Sequence, residues 1–150
     1  MLIVIVIDLS HYLPTTERLR RTHNHWGFTC TCALCSSSPV QQSASDSRLR
    51  RIRELEVLIY QTHAESESQT PMLEQTQADS TVLAKELLGL YEEEGLDGAL
   101  VRAYDNLATA WKRKGSLEKA KMWAGKGVAA AALWPGPESA EGARMQKVLV

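Results

Sequence analysis

The sequence has few of the residues that define several protein classes. It has one phenylalanine, and its three cysteines all lie between positions 30 and 35. An odd number of clustered cysteines makes a poor disulfide framework and favours a reducing compartment, the nucleus or the cytoplasm. The opening apolar run ends at Asp8, whereas a membrane span needs about 20 residues. It also lacks the basic segment and cleavage site of a secretory signal, so we expect no membrane association.

No charge of one sign dominates. The 17 basic and 18 acidic residues leave a net charge of −1, and this balance argues against a nucleic-acid-binding protein, which usually has a basic excess. Hydrophobic residues make up 44% and charged residues 23% of the 150 positions. These values are close to the globular average and exclude collagen, coiled coil and wholesale disorder.

The first 35 residues predict a strand, a short helix and a cysteine cluster. The run LIVIVI over 2–7 is typical of a strand buried on both faces; the alternative is a hydrophobic arm packed on helices. No other run predicts a strand, so we expect the chain to be the tail of a longer protein. Thr15 or Thr16 is the predicted N-cap of the helix, and Gly27 its end. Its predicted apolar face consists of Leu19, His23 and Trp26.

The remaining sequence predicts a linker and then a helical region. Residues 36–47 are rich in serine and 61–80 are polar, so we predict a linker over 36–80 with one helix at 48–60. Over 81–150, apolar residues recur at helical spacing between glycines that end helices. Trp111 is predicted to be a buried anchor opposite Ala120 and Ala124. The predicted fold class is therefore mainly α, with antiparallel helical hairpins after the cysteine cluster.

Part of this region also fits a 34-residue tetratricopeptide unit. The matching positions are Leu107, Ala108, Trp111, Gly115 and Ala120. The alternative is a helical hairpin that only packs like such a repeat.

The pattern Cys30-x-Cys32-x-x-Cys35 places three soft ligands close together on the backbone. A structural zinc ion takes four ligands, either four cysteines or three cysteines and a histidine. The fourth ligand is then a histidine of this chain (His11, His23 or His25) or a cysteine outside it. The alternative is three inert, small hydrophobic side chains.

The segment ERLRRTHNHWGFTCTCALC over 17–35 closely resembles the post-SET segment of SET-domain protein lysine methyltransferases, particularly the SET-and-MYND branch. The sequence EGLDGALVRAYDNLATAWKRKGSLEKAKMWAGKGVAAAALWPGPES looks like the tetratricopeptide-like region that follows in that branch. The resemblance covers residues 2–35 and 81–139. Together with the linker predicted from composition, it divides the chain into the end of a SET core with the zinc segment over 1–35, the linker over 36–80 and the helical domain over 81–150.

The resemblance also implies roles for individual residues. Cys30, Cys32 and Cys35 match post-SET zinc ligands, whose fourth partner in the family is a cysteine of the SET core. Phe28 matches an aromatic residue that lies against the adenine of S-adenosylmethionine. Trp26 matches a wall of the target-lysine channel, and core packing is its alternative role.

The chain also departs from the family. The SET core with its Asn-His motif is not among these residues, and Val6 stands where the family has a tyrosine that orients the amine; Tyr12 follows a few residues later. We therefore expect no catalytic residue here, no activity of this chain alone, and S-adenosylmethionine binding only with a full SET core. The competing hypothesis is a non-catalytic, zinc-stapled helical module. Either protein would have a protein partner: a lysine-containing substrate, or a peptide in the helical groove.

Overall fold

The computed structural model describes residues 13–65, 79–136 and 138–150. Within these ranges 78% of the residues are helical and none forms a strand, which confirms the mainly α class. The strand predicted over 2–7 lies outside the described residues. Six helices follow one another in the described residues: α1 Thr15–Trp26, α2 Pro39–Glu65, α3 Ser80–Glu93, α4 Asp97–Arg113, α5 Leu117–Leu133 and α6 Ala140–Leu149. The chain forms two compact units, which meet in sequence at Arg53 and Glu54.

Helix α1 begins one or two residues earlier than predicted and buries a different face. Pro14 occupies the N-cap position and makes no side-chain capping bond, so the prediction of Thr15 or Thr16 as N-cap is wrong. Asp46 on α2 caps the helix instead, because its Oδ1 accepts from the backbone N–H of Thr15 at 2.8 Å and from the Thr15 hydroxyl at 3.0 Å. The helix ends at Gly27, whose φ of 69° is left-handed, as predicted. Its buried residues are Thr15, Arg18 and Thr22, not the predicted apolar face.

Helix α2 begins well before the predicted position 48. The linker predicted over 36–47 is helical from Pro39, so this part of the prediction is wrong. Ser38 and Gln41 explain the start: the Gln41 N–H donates to Ser38 Oγ at 3.4 Å, and Gln41 Oε1 accepts from the Ser38 N–H at 3.1 Å. This reciprocal pair is a capping box, and proline is well suited to the first helical position. Of the second polar segment, residues 61–65 end α2, while 66–78 lie outside the described residues.

The buried stripe of α2 extends the apolar stripe that the sequence predicts for the helix at 48–60, which consists of Leu49, Ile52, Leu55 and Ile59. The members of the buried stripe are Ser45, Leu49, Ile52, Leu55 and Ile59, none more than 3% exposed. The first of these positions is Ser45. Because serine is polar, the apolar pattern does not include it, and the stripe predicted from the sequence is shorter than the buried one.

Helices α3 to α6 belong to the second unit, and each packs on the next; α4 also contacts α6. The apolar spacing predicts a stripe of Leu83, Leu87, Leu90 and Tyr91 on α3; Leu83, Leu87 and Tyr91 are buried, and Leu90 is partly buried. The two loops after α3 and α4 have the same geometry, with glycine at positive φ: 64° at Gly95 and 75° at Gly115. In each loop this glycine donates to the carbonyl three residues back and the next residue to the carbonyl five back, which is the Schellman motif.

Small residues of α5 let the neighbouring helices approach closely. The sequence predicts an inner stripe of Ala120, Ala124, Gly127, Val128 and Ala131; all are buried except Val128, which is partly buried. The Met145 side chain of α6 lies over Gly127, and the rings of Tyr104 and Trp123 stack with centroids 6.1 Å apart. These larger side chains fill the space that the small residues leave.

Trp111 is not the buried anchor that the sequence predicted. It is only partly buried, and its ring lies under three ammonium groups, those of Lys119, Lys114 and Lys85 at 4.1, 5.4 and 5.8 Å from the centroid. Cation–π attraction favours these positions of the lysines. The ring therefore lies at the edge of the helical unit.

Candidate metal centre

The cysteines lie in the loop between α1 and α2, and both of its ends are fixed. Gly27 ends α1, and its N–H donates to the His23 carbonyl at 3.0 Å. At the other end, the Gln42 side-chain amide donates to the carbonyls of Cys35 and Ser37, both at 3.0 Å. Within the loop, the Ser36 N–H donates to the Cys32 carbonyl at 2.9 Å and closes a tight turn. This turn brings the last cysteine back toward the other two.

The three thiol sulfurs, of Cys30, Cys32 and Cys35, all lie within 4.8 Å of one another. In a tetrahedral zinc site with Zn–S bonds near 2.3 Å, the sulfurs are about 3.8 Å apart. The cluster therefore needs only a small contraction to place three ligands around one ion. Cys32 is exposed, whereas Cys30 and Cys35 are partly buried. The donor set of three thiols fits a soft or borderline metal such as zinc.

Backbone donors favour an ionised sulfur at Cys32. Burial raises the pKa of this thiol, but the N–H groups of Cys35 and Leu34 and the thiols of Cys30 and Cys35 together lower it below its usual value. The Cys35 N–H lies 3.5 Å from Cys32 Sγ. Hydrogen bonds to the charged form stabilise a thiolate, which is the form that binds metals.

Cys35 shows the opposite shift. Burial is the largest effect and raises the pKa of this thiol to about 11; Arg18 opposes it, while Cys32 and Cys30 add to it. Neighbouring thiols that share a small volume cannot all ionise easily, because their negative charges repel. A bound divalent cation removes this obstacle, since it deprotonates a coordinating thiol outright.

Within the described residues, the cluster has three members and no histidine. His23 and His25 are exposed on α1, and neither belongs to the cysteine cluster. The structure therefore does not place a histidine of this helix as the fourth ligand. His11 lies outside the described residues. The three predicted cysteines therefore lie close enough together to hold a metal ion, while their role as ligands and the fourth ligand stay predictions.

Both aromatic residues singled out by the sequence are half exposed, Trp26 at 51% and Phe28 at 49%. Core packing, the alternative considered for Trp26, is therefore wrong. The two rings flank Gly27, directly before the cysteine loop. Their roles toward adenine and a lysine channel remain predictions.

Sequence reasoning missed Arg18, which is only 6% exposed. Its guanidinium donates to the Leu13 carbonyl at 2.9 Å and to Thr15 Oγ1 at 3.0 Å. It also lowers the pKa of the Cys35 thiol, against the larger effect of burial. The only available signal was the repetition of polar residues at Thr15, Arg18 and Thr22, which share one helix face.

Comparison of the chain with protein-family models, with curated proteins and with solved structures finds no match. Among the helices that the structure describes, none combines the length and the apolar composition needed to cross a membrane. Taken together, the fold and the site define a mainly helical protein with a three-thiol cluster that can hold a metal ion.

Proposed function

We propose that this chain binds one zinc ion through Cys30, Cys32 and Cys35, and that it carries the post-SET segment and the tetratricopeptide-like region of a SET-domain protein lysine methyltransferase. The observation that carries the proposal is the grouping of the three sulfurs within 4.8 Å. They lie at the end of the segment over 17–35 that resembles the family. Zinc there would be structural, fixing the loop between α1 and α2.

The exposed rings next to this loop support the family assignment. Phe28 would contact the adenine of S-adenosylmethionine, and Trp26 would form one wall of the channel for the substrate lysine. Rings that are half exposed are available to a further surface, which in the family is the SET core. An aromatic channel desolvates the lysine amine and aligns it for methyl transfer. The substrate would be a lysine-containing protein of the nucleus or cytoplasm.

A second candidate is a non-catalytic, zinc-stapled module whose helical hairpins bind a peptide. It is favoured by one observation: residues from Glu54 onward form a compact unit of their own. Neither candidate gives this chain a catalytic residue. They differ in whether S-adenosylmethionine is ever bound beside Phe28.

Metal analysis of the purified full chain tests the zinc site. We expect zinc at up to one ion per chain, weakly held because only three ligands are assigned. Replacing the zinc with Co²⁺ should give a thiolate-to-cobalt absorption band, which each Cys→Ser variant reduces. Thr31→Ala, an exposed position between two of the cysteines, is the control and should leave the band unchanged. Absence of zinc, with all three thiols freely alkylated, would contradict the site.

The family assignment has a separate test. The transcript should be sequenced upstream of the codon for Met1, where an in-frame Asn-His-x-Cys is expected. S-adenosylmethionine binding, measured by equilibrium dialysis, should be absent for the 150-residue chain and present for the extended protein. Binding should then weaken in Phe28→Ala. An extended reading frame without this motif, together with no binding, would favour the helical module.

A further inference from the structure

The loop between α1 and α2 holds two of its cysteines in a single helical turn. The Ser36 N–H donates to the Cys32 carbonyl at 2.9 Å, which is the hydrogen-bond pattern of an α-helical turn. The dimensions of such a turn place Cα atoms three residues apart at a distance of about 5 Å. Cysteines joined by a disulfide usually have Cα atoms roughly 4.4–6.8 Å apart. The backbone at Cys32 and Cys35 therefore fits a disulfide bond.

The side chains of this pair are close as well. The sulfurs of Cys32 and Cys35 lie within 4.8 Å of each other, and the Cys35 N–H lies 3.5 Å from Cys32 Sγ. A disulfide bond is about 2.05 Å long, and rotation about the two Cα–Cβ bonds can close the remaining gap. Both residues are free thiols, with Cys32 exposed and Cys35 partly buried. An oxidant in solution therefore reaches Cys32 first and finds the second thiol beside it.

Cys30 is a less suitable partner for a disulfide. A single residue separates it from Cys32, and the small ring that this pair would close strains the disulfide dihedral. Cys30 also precedes the turn that brings Cys35 back toward Cys32. We therefore expect Cys30 to stay a thiol when the other two cysteines are oxidised.

We propose that a peroxide oxidises Cys32 and Cys35 to a reversible disulfide, and that this bond and the zinc ion exclude each other. The Cys32 sulfur attacks one peroxide oxygen, the O–O bond breaks, and the leaving hydroxide takes up the Cys32 proton as water. Cys32 is then a sulfenic acid. The Cys35 sulfur attacks the Cys32 sulfur, the S–S bond forms, the S–O bond breaks, and the hydroxyl group leaves as water with the Cys35 proton. Two thiols lose two electrons in total, and one peroxide is reduced to two waters.

The exclusion follows from the ligands that the two states share. A metal ion binds the thiolate form of cysteine, so the disulfide removes two of the three assigned zinc ligands. This part rests on the zinc site proposed above, whereas the disulfide itself follows from the geometry of the loop. In a reducing compartment a disulfide of this kind is transient, and an exposed one is readily reduced by thiols. The pair is therefore suited to a reversible response to oxidants.

The test begins with the metal-free full chain and hydrogen peroxide. Thiols are alkylated with one reagent before reduction and with a second reagent after it, and the protein is digested with trypsin. All three cysteines lie in the tryptic peptide 22–48, where fragmentation assigns each label. We expect the first label on Cys30 and the second label on Cys32 and Cys35. Intact mass should show the loss of two hydrogen atoms per chain, and a dithiol reductant should restore them.

Three variants and a metal measurement complete the test. Cys30→Ser is the matched control and should form the disulfide as the wild type does, whereas Cys32→Ser and Cys35→Ser should not lose two hydrogen atoms. In the zinc-loaded wild type, a chromophoric chelator should report one zinc ion released for each disulfide formed. Circular dichroism checks that each variant keeps its helices, and gel filtration checks that the oxidised protein has not been linked to a second copy.

The outcomes separate this inference from the zinc site. If the wild type binds zinc but its metal-free form makes no disulfide, or makes one through Cys30, the zinc site stands and the inference is overturned. If the wild type binds no zinc but forms the bond between Cys32 and Cys35, the zinc site and the exclusion are wrong, while the disulfide is supported. Zinc that stays bound after the disulfide has formed would overturn the exclusion.

Discussion

Gly125 and Gly127 lie two residues apart on α5 and have opposite surroundings. A Cβ added at Gly127 would meet the Sδ of Met145 and lie 3.0 Å from Cβ of Tyr104, whereas one at Gly125 meets nothing within 4 Å. We expect Gly127→Ala to destabilise the protein by about 1–3 kcal/mol, since Met145 is fully buried and has to move. Gly125→Ala should instead stabilise by about 0.5–1 kcal/mol through helix propensity. Urea unfolding measures both, and an equal gain from both substitutions would contradict the close packing.

Asp79 caps α3 and is also part of an ion pair. Its Oδ1 accepts from the Thr81 N–H at 2.9 Å and from the Thr81 hydroxyl at 2.7 Å, and its carboxylate pairs with Lys114. Lys114 first, and then Thr81, hold the pKa of this carboxyl well below its usual value of 3.8. A lowered pKa means that the charged form stabilises the fold above pH 4 or so, and that this stabilisation is lost as the pH falls through the lowered pKa.

Asp79→Asn should therefore lower the urea midpoint at pH 7 and have a smaller effect at pH 2. Salt should also reduce the effect at neutral pH, because the pair is exposed to solvent. A loss of stability that is the same at both pH values would show that the charge of Asp79 does not contribute.

At the residue scale, the cysteine cluster was more predictable than the burial of Arg18. Three cysteines within six positions cannot lie far apart, so their spacing alone indicated a cluster. The buried guanidinium of Arg18 donates to the Leu13 carbonyl and to the Thr15 hydroxyl. A hydrophobic pattern does not show whether tertiary partners will bury a polar side chain. The sequence therefore did not reveal the burial of Arg18.

At the scale of elements, composition misled where local capping chemistry was informative. Residues 36–47 have the serine content of a linker, but Ser38 and Gln41 form a capping box with Pro39 between them. This S-x-x-Q pattern starts a helix, and Ser45 continues its buried face. The ends of α3 and α4 were predicted well, because each is followed by a glycine at positive φ, a local requirement that the sequence shows directly.

Ser38→Ala tests the start of α2. It should destabilise the first unit by about 0.5–2 kcal/mol, the usual effect of removing an N-cap hydroxyl, and increase hydrogen exchange of the amides in the first turns of α2. Ser43→Ala is the matched control: the side chain is exposed in the helix interior, where alanine is the better helix former. Equal exchange rates in the two variants would show that the capping box does not hold the helix start.

At the scale of the whole molecule, the sequence placed the start of the helical domain at position 81, but the second compact unit begins at Glu54. The reason is a contact between residues 35 positions apart: the hydroxyl of Tyr91 donates to Glu56 Oε1 at 2.6 Å. Tyr91 is fully buried, so its hydroxyl needs a partner. No periodicity reveals such a pair, because both residues look ordinary within their own helices.

Two fragments of the chain test this boundary. The fragment 54–150 should unfold cooperatively, because it contains the whole second unit. The fragment 79–150 lacks the Glu56 carboxylate and the buried side chains of Leu55 and Ile59, each of which contributes about 1.5–3 kcal/mol when fully buried. We therefore expect 79–150 to melt at a clearly lower temperature by circular dichroism. Tyr91→Phe within 54–150 isolates the hydrogen bond and should cost about 1.5–3 kcal/mol, the range for a charged partner. Equal melting temperatures of the two fragments would show that the end of α2 contributes nothing to this unit and that the boundary near position 80 is right.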